Sequence, residues 1–204
     1  MTVLPLVTAI VPTWHRAALL TKCLPSIAAQ TYPRFQCVVV SDGPDEDLQW
    51  NLELRWPLVR TVWLETHGDG LRTGNEPRAA AVNIAEGEYV AFCDDDDTWE
   101  PRHLSLVMDG LLANPEIGFG YGMAMMHLPG CVQQVIGTAP PTYGGITTSA
   151  IVARTDLCRR INWGDESAHG DWDLVSKWLA DGQMGVMSEE VSVHIYPASL
   201  GVVA

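Results

Sequence analysis

The chain has 204 residues, of which 47% are apolar, so it is long and apolar enough to fold and too apolar to be mainly disordered. It carries 12 Lys and Arg against 25 Asp and Glu, a formal net charge of −13. This acidity argues against nucleic acid and against an anionic membrane surface as partners, because both require clustered cations. It permits a phosphorylated small molecule whose charge is neutralised by a metal cation.

The cysteines and the apolar runs indicate neither secretion nor membrane insertion. Five widely spaced cysteines without a C-x-x-C motif are typical of reduced thiols rather than of disulfides or a zinc site. No apolar run approaches the roughly 18 residues that span a bilayer, and the N-terminal segment lacks the basic region of a signal peptide. We therefore expect a cytoplasmic protein without an integral membrane segment.

Short apolar strands alternate with helices in the first half of the chain. The pattern predicts strands over residues 6–11, 35–40, 59–64 and 89–93, and helices over 17–30, 75–85 and 101–113. Such alternation is typical of an α/β fold with a mostly parallel central sheet and helices on both faces.

The second half has a different pattern. It predicts strands over residues 117–126, 131–136, 149–153 and 191–196, and a helix that begins at Gly170 and ends near Gly182. No linker or internal repeat separates the halves, so we expect a single domain over 1–204. The loop 142–148 and the polar segment 165–169 are candidates for contacts with a second substrate.

Polar residues follow three of the predicted strands. Thr13 follows the first strand together with Trp14 and His15, Asp42 follows the second, and the aspartates at 94–97 follow the fourth. Ligands of open α/β sheets bind beyond the carboxyl ends of the strands, so we expect these residues to share one crevice.

The four consecutive aspartates are the strongest chemical signal in the sequence. Carboxylates crowded at the end of a buried strand repel one another, and a divalent cation relieves that repulsion by taking hard oxygen ligands. The alternative is a solvated acidic turn in which Asp97 or Thr98 caps the helix that follows. Both interpretations are open from the residues alone.

Four further residues each have a structural and a functional interpretation. Asp42 is either a turn residue or an acceptor of hydrogen bonds from a nucleobase or ribose. Arg78, whose charge opposes the helix dipole in a first turn, either pairs with an acid such as Glu76 or contacts a phosphate. Asp171 either caps its helix or acts as a general base, and His194 is either a core histidine or a metal ligand.

The order of these motifs resembles the family 2 glycosyltransferases, which are inverting enzymes of the GT-A fold. The matching segments are PTWHR at 12–16, QTYP at 30–33, SDGP at 41–44, GEYV at 87–90, DDDDTWEP at 94–101 and GDWD at 170–173. The resemblance runs from residue 6 to about residue 196. It implies a nucleotide-binding half over about 1–100 and an acceptor-binding half over about 101–204.

The resemblance also implies a role for individual residues. Pro12, Thr13 and Asp42 are expected to line the pocket for the base of a nucleoside-diphosphate sugar. Arg78 is expected to approach the diphosphate, while Asp94 and Asp95 lie beside the ribose and the sugar.

Asp96 is expected to bind Mn²⁺ or Mg²⁺, with His194 as a later metal ligand, and Asp171 is expected to be the catalytic base. Two positions depart from the family pattern, since His15 stands for an asparagine and Ser41 for an aspartate.

Together these roles predict a metal-dependent, inverting glycosyltransferase of the hexosyltransferase class, with a UDP-sugar as the favoured donor. Its acceptor is an unidentified hydroxyl compound, and the oligomeric state is open, a homo-oligomer included. The alternatives are a nucleotidyltransferase, although the Gly-rich loop of that class is missing after the first strand, and a catalytically silent nucleotide-sugar or metal-binding module or partner subunit.

Overall fold

The computed structural model of the chain describes residues 3–45, 48, 59–65, 74–164 and 170–197. Nine strands are described: β1 Val7–Thr13, β2 Phe35–Ser41, β3 Val59–Trp63, β4 Tyr89–Phe92, β5 Thr98–Trp99, β6 Phe119–Leu128, β7 Val132–Ile136, β8 Ile151–Arg154 and β9 Gly185–Ile195. The described residues also contain the α-helices α1 Ala17–Ala28, α2 Asn75–Ile84, α3 His103–Ala113, α4 Thr155–Arg160 and α5 Gly170–Ala180. The predicted polar segment 165–169 lies outside the described residues.

The first four strands form the parallel part of the sheet. The order of neighbours is β3-β2-β1-β4-β8-β6-β9-β5, with β7 paired to β6. Strand β1 pairs in parallel with β2 on one side and with β4 on the other, and β2 pairs in parallel with β3. The strand order therefore reverses at β1, which makes the carboxyl ends of β1 and β4 the switch point of the sheet.

The second half extends the same sheet with mixed pairing. Strand β8 is antiparallel to both β4 and β6, β7 is antiparallel to β6, and β9 is parallel to β6 and antiparallel to β5. The β6–β7 connection, Pro129–Cys131, is only one 3₁₀ turn. A connection this short joins antiparallel neighbours, whereas parallel strands need a long crossover.

The buried apolar side chains of both halves form one contiguous cluster. In the first half the strands β1, β2 and β4 are buried over most of their length, as expected for strands covered on both faces. Trp178 of α5 is fully buried and packs against Phe119 of β6 at a ring distance of 5.2 Å. Both halves thus share one core.

The clearest differences from the sequence prediction concern β5, α3, α4 and β9. Thr98–Trp99 form β5, which pairs with β9, and α3 begins at His103 after Arg102, without a side-chain cap. The interpretation of Asp97 or Thr98 as a helix cap is therefore wrong. Helix α4 was not predicted because six residues are too few for a visible apolar period.

Strand β9 begins at Gly185, six residues earlier than predicted. Its charged residues Glu189 and Glu190 are exposed, which hid the strand from a search for apolar runs. Within the described part of the chain, no helix combines the length and the hydropathy needed to cross a membrane.

Candidate active site

The carboxyl ends of β1, β2 and β4 bring the predicted polar residues together at one edge of the sheet. Thr13 Oγ1 donates a hydrogen bond of 2.6 Å to Asp95 Oδ2 across the β1–β4 pair. The backbone N–H of Asp42 donates to the carbonyl oxygen of Thr13 at 2.9 Å. The expectation that the three clusters meet at this edge of the sheet is confirmed.

The residues expected around a nucleobase lie at the carboxyl ends of β1 and β2. Pro12 is buried within β1, and Asp42 is buried just after β2. The buried Asp45 accepts a 3.0 Å hydrogen bond from the backbone N–H of His15, whose φ of +49° turns the chain at the end of the first motif. Sequence reasoning missed Asp45, since an aspartate three residues beyond a turn carries no distinctive signal.

Two arginines form ion pairs with three of the four aspartates. Arg16 Nη1 lies 3.0 Å from Asp95 Oδ1, and its Nη2 lies 2.7 Å from Asp96 Oδ2. Arg78 Nη2 makes a short ion pair with Asp94 Oδ1. The carboxylate repulsion expected from the sequence is thus relieved by cations that lie far away along the chain. Arg16 ends the first motif, but its partners were not evident before β1 and β4 were known to be neighbours.

The fourth aspartate is held by neutral donors. Asp97 Oδ2 accepts a 2.5 Å hydrogen bond from Ser149 Oγ, and Asp97 Oδ1 accepts the backbone N–H of Tyr196 at 3.2 Å. Burial raises the pKa of Asp97 well above its usual value of 3.8, and the nearby charge of Asp94 raises it further. Asp97 therefore links three segments of the chain beneath the site.

Asp95 is 3% exposed, and its burial raises its pKa from 3.8 to about 6. The hydrogen bond from Thr13 and the charge of Arg16 act in the opposite direction and favour the carboxylate. Burial outweighs both, because the charged form loses its hydration inside the protein.

Arg78 lies in the first turn of α2 and is buried. Its guanidinium carbon is 4.9 Å from the ring centroid of Trp163, a cation–π distance, while the guanidinium contacts Asp94. Gly74 precedes the helix with φ at +73°, and a Cβ there would lie 3.0 Å from Arg78 Nη1. Gly74 therefore provides both the backbone conformation and the space that this arginine needs.

A cavity of about 500 Å³ opens beside this ion pair. Its charged lining consists of Arg78, Asp94 and Asp171, which were all predicted as site residues. The remaining lining is formed by Met126, Gln134, Ile136, Tyr143, Gly144, Ile146, Thr147, Thr148, Gly170 and Ile195. Part of the predicted acceptor loop 142–148 therefore does contribute to this cavity.

Asp171 lies in the first turn of α5, where its Oδ1 accepts a 2.6 Å hydrogen bond from the N–H of Trp172. Burial raises its pKa above the usual 3.8, the backbone hydrogen bonds lower it, and the charge of Asp94 adds to the increase. Asp173 instead lines a second cavity of about 270 Å³, as expected for a residue two positions further along a helix. Asp171 is therefore a carboxylate with increased proton affinity that faces the larger cavity.

His194 is not brought to this cavity. Its Nε2 lies 2.8 Å from Glu100 Oε1, and its Nδ1 lies 3.0 Å from His127 Nε2. His194 opposes Met125 in the β6–β9 register and so lies on the other face of the sheet from Ile195, which lines the cavity. Both ring nitrogens are engaged by side chains.

The described ranges contain no group of three or more His, Cys, Asp or Glu residues arranged around a common metal position. They do offer two partly exposed carboxylates, since the side chain of Asp94, which lines the cavity, is 32% exposed and that of Asp96 is 19% exposed. Mg²⁺ is commonly held by one or two carboxylates together with substrate phosphates. This donor set suits a divalent cation that arrives with a diphosphate.

The family model described as "Glycosyl transferase family 2" matches residues 8–123 of this chain. Among curated proteins, the poly(ribitol-phosphate) β-N-acetylglucosaminyltransferase TarS of Staphylococcus aureus is 39% identical over 92 residues, which are 43% of this chain and 16% of TarS. The glycosyltransferase GlyA of Streptococcus pneumoniae is 36% identical over 99 residues, which are 48% of this chain and 14% of GlyA. The chain thus spans a small part of these relatives.

Two solved structures share the fold over nearly the whole chain. Residues 1–349 of S. aureus TarS with UDP-GlcNAc superimpose with a TM-score of 0.74 at 24% identity, covering 93% of this chain and 58% of that one. The mannosyltransferase PcManGT of Pyrobaculum calidifontis with GDP-Man and Mn²⁺ gives a TM-score of 0.73 at 21% identity, covering 95% of this chain and 57% of that one. The α/β fold predicted from the sequence is confirmed.

Proposed function

The chain belongs to glycosyl transferase family 2, and from this premise we propose that it transfers a sugar from a nucleoside-diphosphate donor to an acceptor hydroxyl. The observation that carries the proposal is one cavity lined by Arg78, Asp94 and Asp171, with Asp95 and Asp96 directly after Asp94 in the chain. This arrangement offers a cation for phosphate, oxygen ligands for a metal, and a carboxylate for proton transfer.

In the proposed donor complex, Pro12, Thr13 and Asp42 line the base pocket at the ends of β1 and β2. Their burial and the Asp42–Thr13 backbone hydrogen bond support this role, because they fix the pocket before a ligand arrives. A UDP-sugar is the favoured donor, in line with the UDP-GlcNAc bound in TarS. GDP-Man in PcManGT makes GDP the comparison ligand.

Arg78 is proposed to exchange its ion pair with Asp94 for the donor diphosphate. A guanidinium binds phosphate oxygens through two parallel hydrogen bonds, as it does a carboxylate. Asp94 and Asp95 are then available to accept hydrogen bonds from the sugar and the ribose. The position of Arg78 beside the cavity supports this exchange.

Asp96 is proposed as the protein ligand of Mn²⁺ or Mg²⁺, a role that requires it to share its carboxylate with the cation and Arg16. When bound, the divalent cation neutralises charge on the diphosphate and so helps it leave. His194 would join the ligand set only after releasing Glu100 or His127. The proposed metal site therefore depends on Asp96.

Asp171 is proposed as the general base. It accepts the proton of the acceptor hydroxyl while that oxygen bonds to the anomeric carbon and the bond from that carbon to the diphosphate oxygen breaks. Attack from the face opposite the diphosphate inverts the anomeric centre. The raised pKa of Asp171 supports the role, because a carboxylate of higher proton affinity is a stronger base.

Thermal shift with nucleoside diphosphates tests the proposal. We expect UDP with MnCl₂ to stabilise the wild-type protein by about 2.7 kcal/mol at a hundredfold excess over Kd, and Asp96→Ala to lose most of this effect. Asp109→Ala, which removes an exposed aspartate of α3, is the matched control and should respond as the wild type does.

The absence of a shift with UDP and with GDP would contradict the donor site. Transfer is then measured with the preferred nucleotide sugar and a panel of hydroxyl acceptors. Nucleotide binding without any turnover of the sugar donor would favour the catalytically silent module over the transferase.

A further inference from the structure

The cavity beside Asp171 has a charged wall and an apolar wall. The charged wall carries Arg78 and Asp94, whereas the apolar wall is formed by neighbouring strands and includes Met126 of β6, Ile136 of β7 and Ile195 of β9. Apolar side chains pack against the C–H groups of a sugar ring, and they also suit an alkyl group attached to that sugar. The apolar wall therefore bears on what the acceptor is.

The strand register shows that this wall continues beyond the cavity. Ile136 faces Ala124, Gln134 faces Met126, and Val132 faces Leu128 across the antiparallel β6–β7 pair. Residues two apart along a strand lie on the same face. We call the resulting surface the apolar track; it consists of Met126, Leu128, Val132, Ile136 and Ile195, with Gln134 as its polar member.

The track leads away from the catalytic carboxylate toward the tip of the β6–β7 hairpin. From Ile136 to Val132 it covers four residue steps, or about 13 Å at the rise of a β-strand. Ile136 is half-buried at the cavity, while Val132 is 54% exposed at the outer end. An elongated apolar group that begins in the cavity could therefore lie along the hairpin.

We propose that the acceptor is an amphiphile, whose hydroxyl-bearing head lies at Asp171 and whose apolar chain lies on the track formed by Met126, Leu128 and Val132. The proposal deepens the proposed function and rests on it. Its physical basis is the continuity of the track with the cavity, and the gain from removing both the chain and the exposed valine from water.

Matched alkyl glycosides test the chain preference directly. Octyl β-D-glucoside, kept below its micelle concentration, and methyl β-D-glucoside are titrated by calorimetry into the full chain, with and without UDP and MnCl₂. The two glycosides share the head and differ only in the tail. We expect the octyl compound to bind at least about tenfold more tightly, the gain from burying roughly two methylene groups.

Variants on the two faces of the same strand locate the effect. Val132→Gln and Leu128→Gln alter the track and should reduce the octyl preference several-fold. Val135→Gln is the matched control, because Val135 is 47% exposed on the opposite face of β7 and should leave the preference unchanged. Urea unfolding verifies that all three variants remain folded.

Equal affinities for the two glycosides, no binding of either, or an equal effect of Val135→Gln would overturn the proposal. A change of oligomeric state in Val132→Gln without any octyl preference would also overturn it, and would identify the track as a contact between copies of the chain. The donor site is judged separately, since failure of UDP to bind counts against the proposed function and not against the chain preference.

Discussion

At the residue scale, Asp171 combines a position at the cavity with a raised pKa. Its carboxylate faces a cavity shared with Arg78 and Asp94, and burial raises its pKa. Its hydrogen bond to the N–H of Trp172 holds it in the first turn of α5. A carboxylate that only stabilised the helix end would need neither the cavity nor the neighbouring charges.

Asp171→Asn tests the role of this carboxylate. We expect the variant to bind UDP with MnCl₂ as the wild type does, and to lose transfer by about two orders of magnitude or more, because an amide cannot accept the proton. Product formation under saturating donor is the measurement. Asp173→Asn, on the other side of the helix, is the control, and near-normal transfer by Asp171→Asn would refute the assignment.

The buried carboxyl of Asp95 makes the stability of the protein depend on pH. Its pKa in the folded protein is about 6, above the usual 3.8. The folded state therefore retains a proton that the unfolded state releases between these values. Stability linked to Asp95 is fully present below about pH 4 and is lost as the pH rises through about 6.

Asp95→Asn should remove this part of the pH dependence. We expect the free energy of unfolding of the wild type to fall relative to that of the variant between about pH 4 and pH 7, by up to about 3 kcal/mol. Urea unfolding across this range measures the difference.

Asp156→Asn serves as a control of opposite sign. The hydrogen bond from Arg154 lowers the pKa of Asp156, so this exposed carboxylate contributes stability at higher pH. A constant difference between wild type and Asp95→Asn over the whole range would contradict the raised pKa of Asp95.

At the element scale, the start of β4 depends on one close approach. A Cβ on Gly87 would lie 2.7 Å from three backbone atoms, namely the oxygen of Leu6, the nitrogen of Thr8 and the oxygen of Tyr89. These atoms belong to β1, β4 and the residue before β1, and the N–H of Gly87 donates to Thr8 Oγ1 at 2.9 Å. The glycine therefore lets β1, which ends at Thr13, and β4, which leads to Asp95, come together.

Gly87→Ala should destabilise the protein by about 3 kcal/mol, because backbone atoms cannot move aside as a flexible side chain can. Gly110→Ala in α3 is the control. There the added Cβ meets only methyl groups of Val186 at 3.3–3.4 Å, and the gain in helix propensity of about 1 kcal/mol offsets the tight contact. Denaturant unfolding measures both; equal stability of the two variants would show that the strands can separate at Gly87 at little cost.

At the scale of the whole molecule, the apolar core does not stop at the middle of the chain. One cluster contains Ile10 and Phe92 of the first half together with Phe119, Val152 and Trp178 of the second. Strand β8 carries the sheet across, since it pairs with β4 and with β6. The two halves therefore form one folding unit. The division into a nucleotide-binding and an acceptor-binding half is a functional one, which we propose.

This shared core predicts a single cooperative unfolding transition. We expect the calorimetric and van't Hoff enthalpies to agree, and the midpoints from far-UV circular dichroism and tryptophan fluorescence to coincide. UDP with MnCl₂ should move the whole transition. Two separated transitions would mean that residues 1–100 and 101–204 fold as independent domains.

The sequence by itself determined the features that depend on neighbours along the chain. Apolar runs predicted β1 to β4, and their alternation with helices predicted the parallel part of the sheet that the structure confirms. The position of the aspartates directly after β4 was sufficient to place them at the edge where the parallel strands have their carboxyl ends. These signals are local, because strand period, helix period and turn chemistry are written in consecutive residues.

The tertiary structure alone decided which side chains meet. Arg16 pairs with Asp96, and Asp97 is held by Ser149 and Tyr196, across separations of 80, 52 and 99 residues. It also placed His194 on the face of β9 away from the cavity. The order of strands in a sheet and the face that each residue presents depend on packing of the whole chain. No local pattern encodes them, so the partners of the charged residues became known only with the fold.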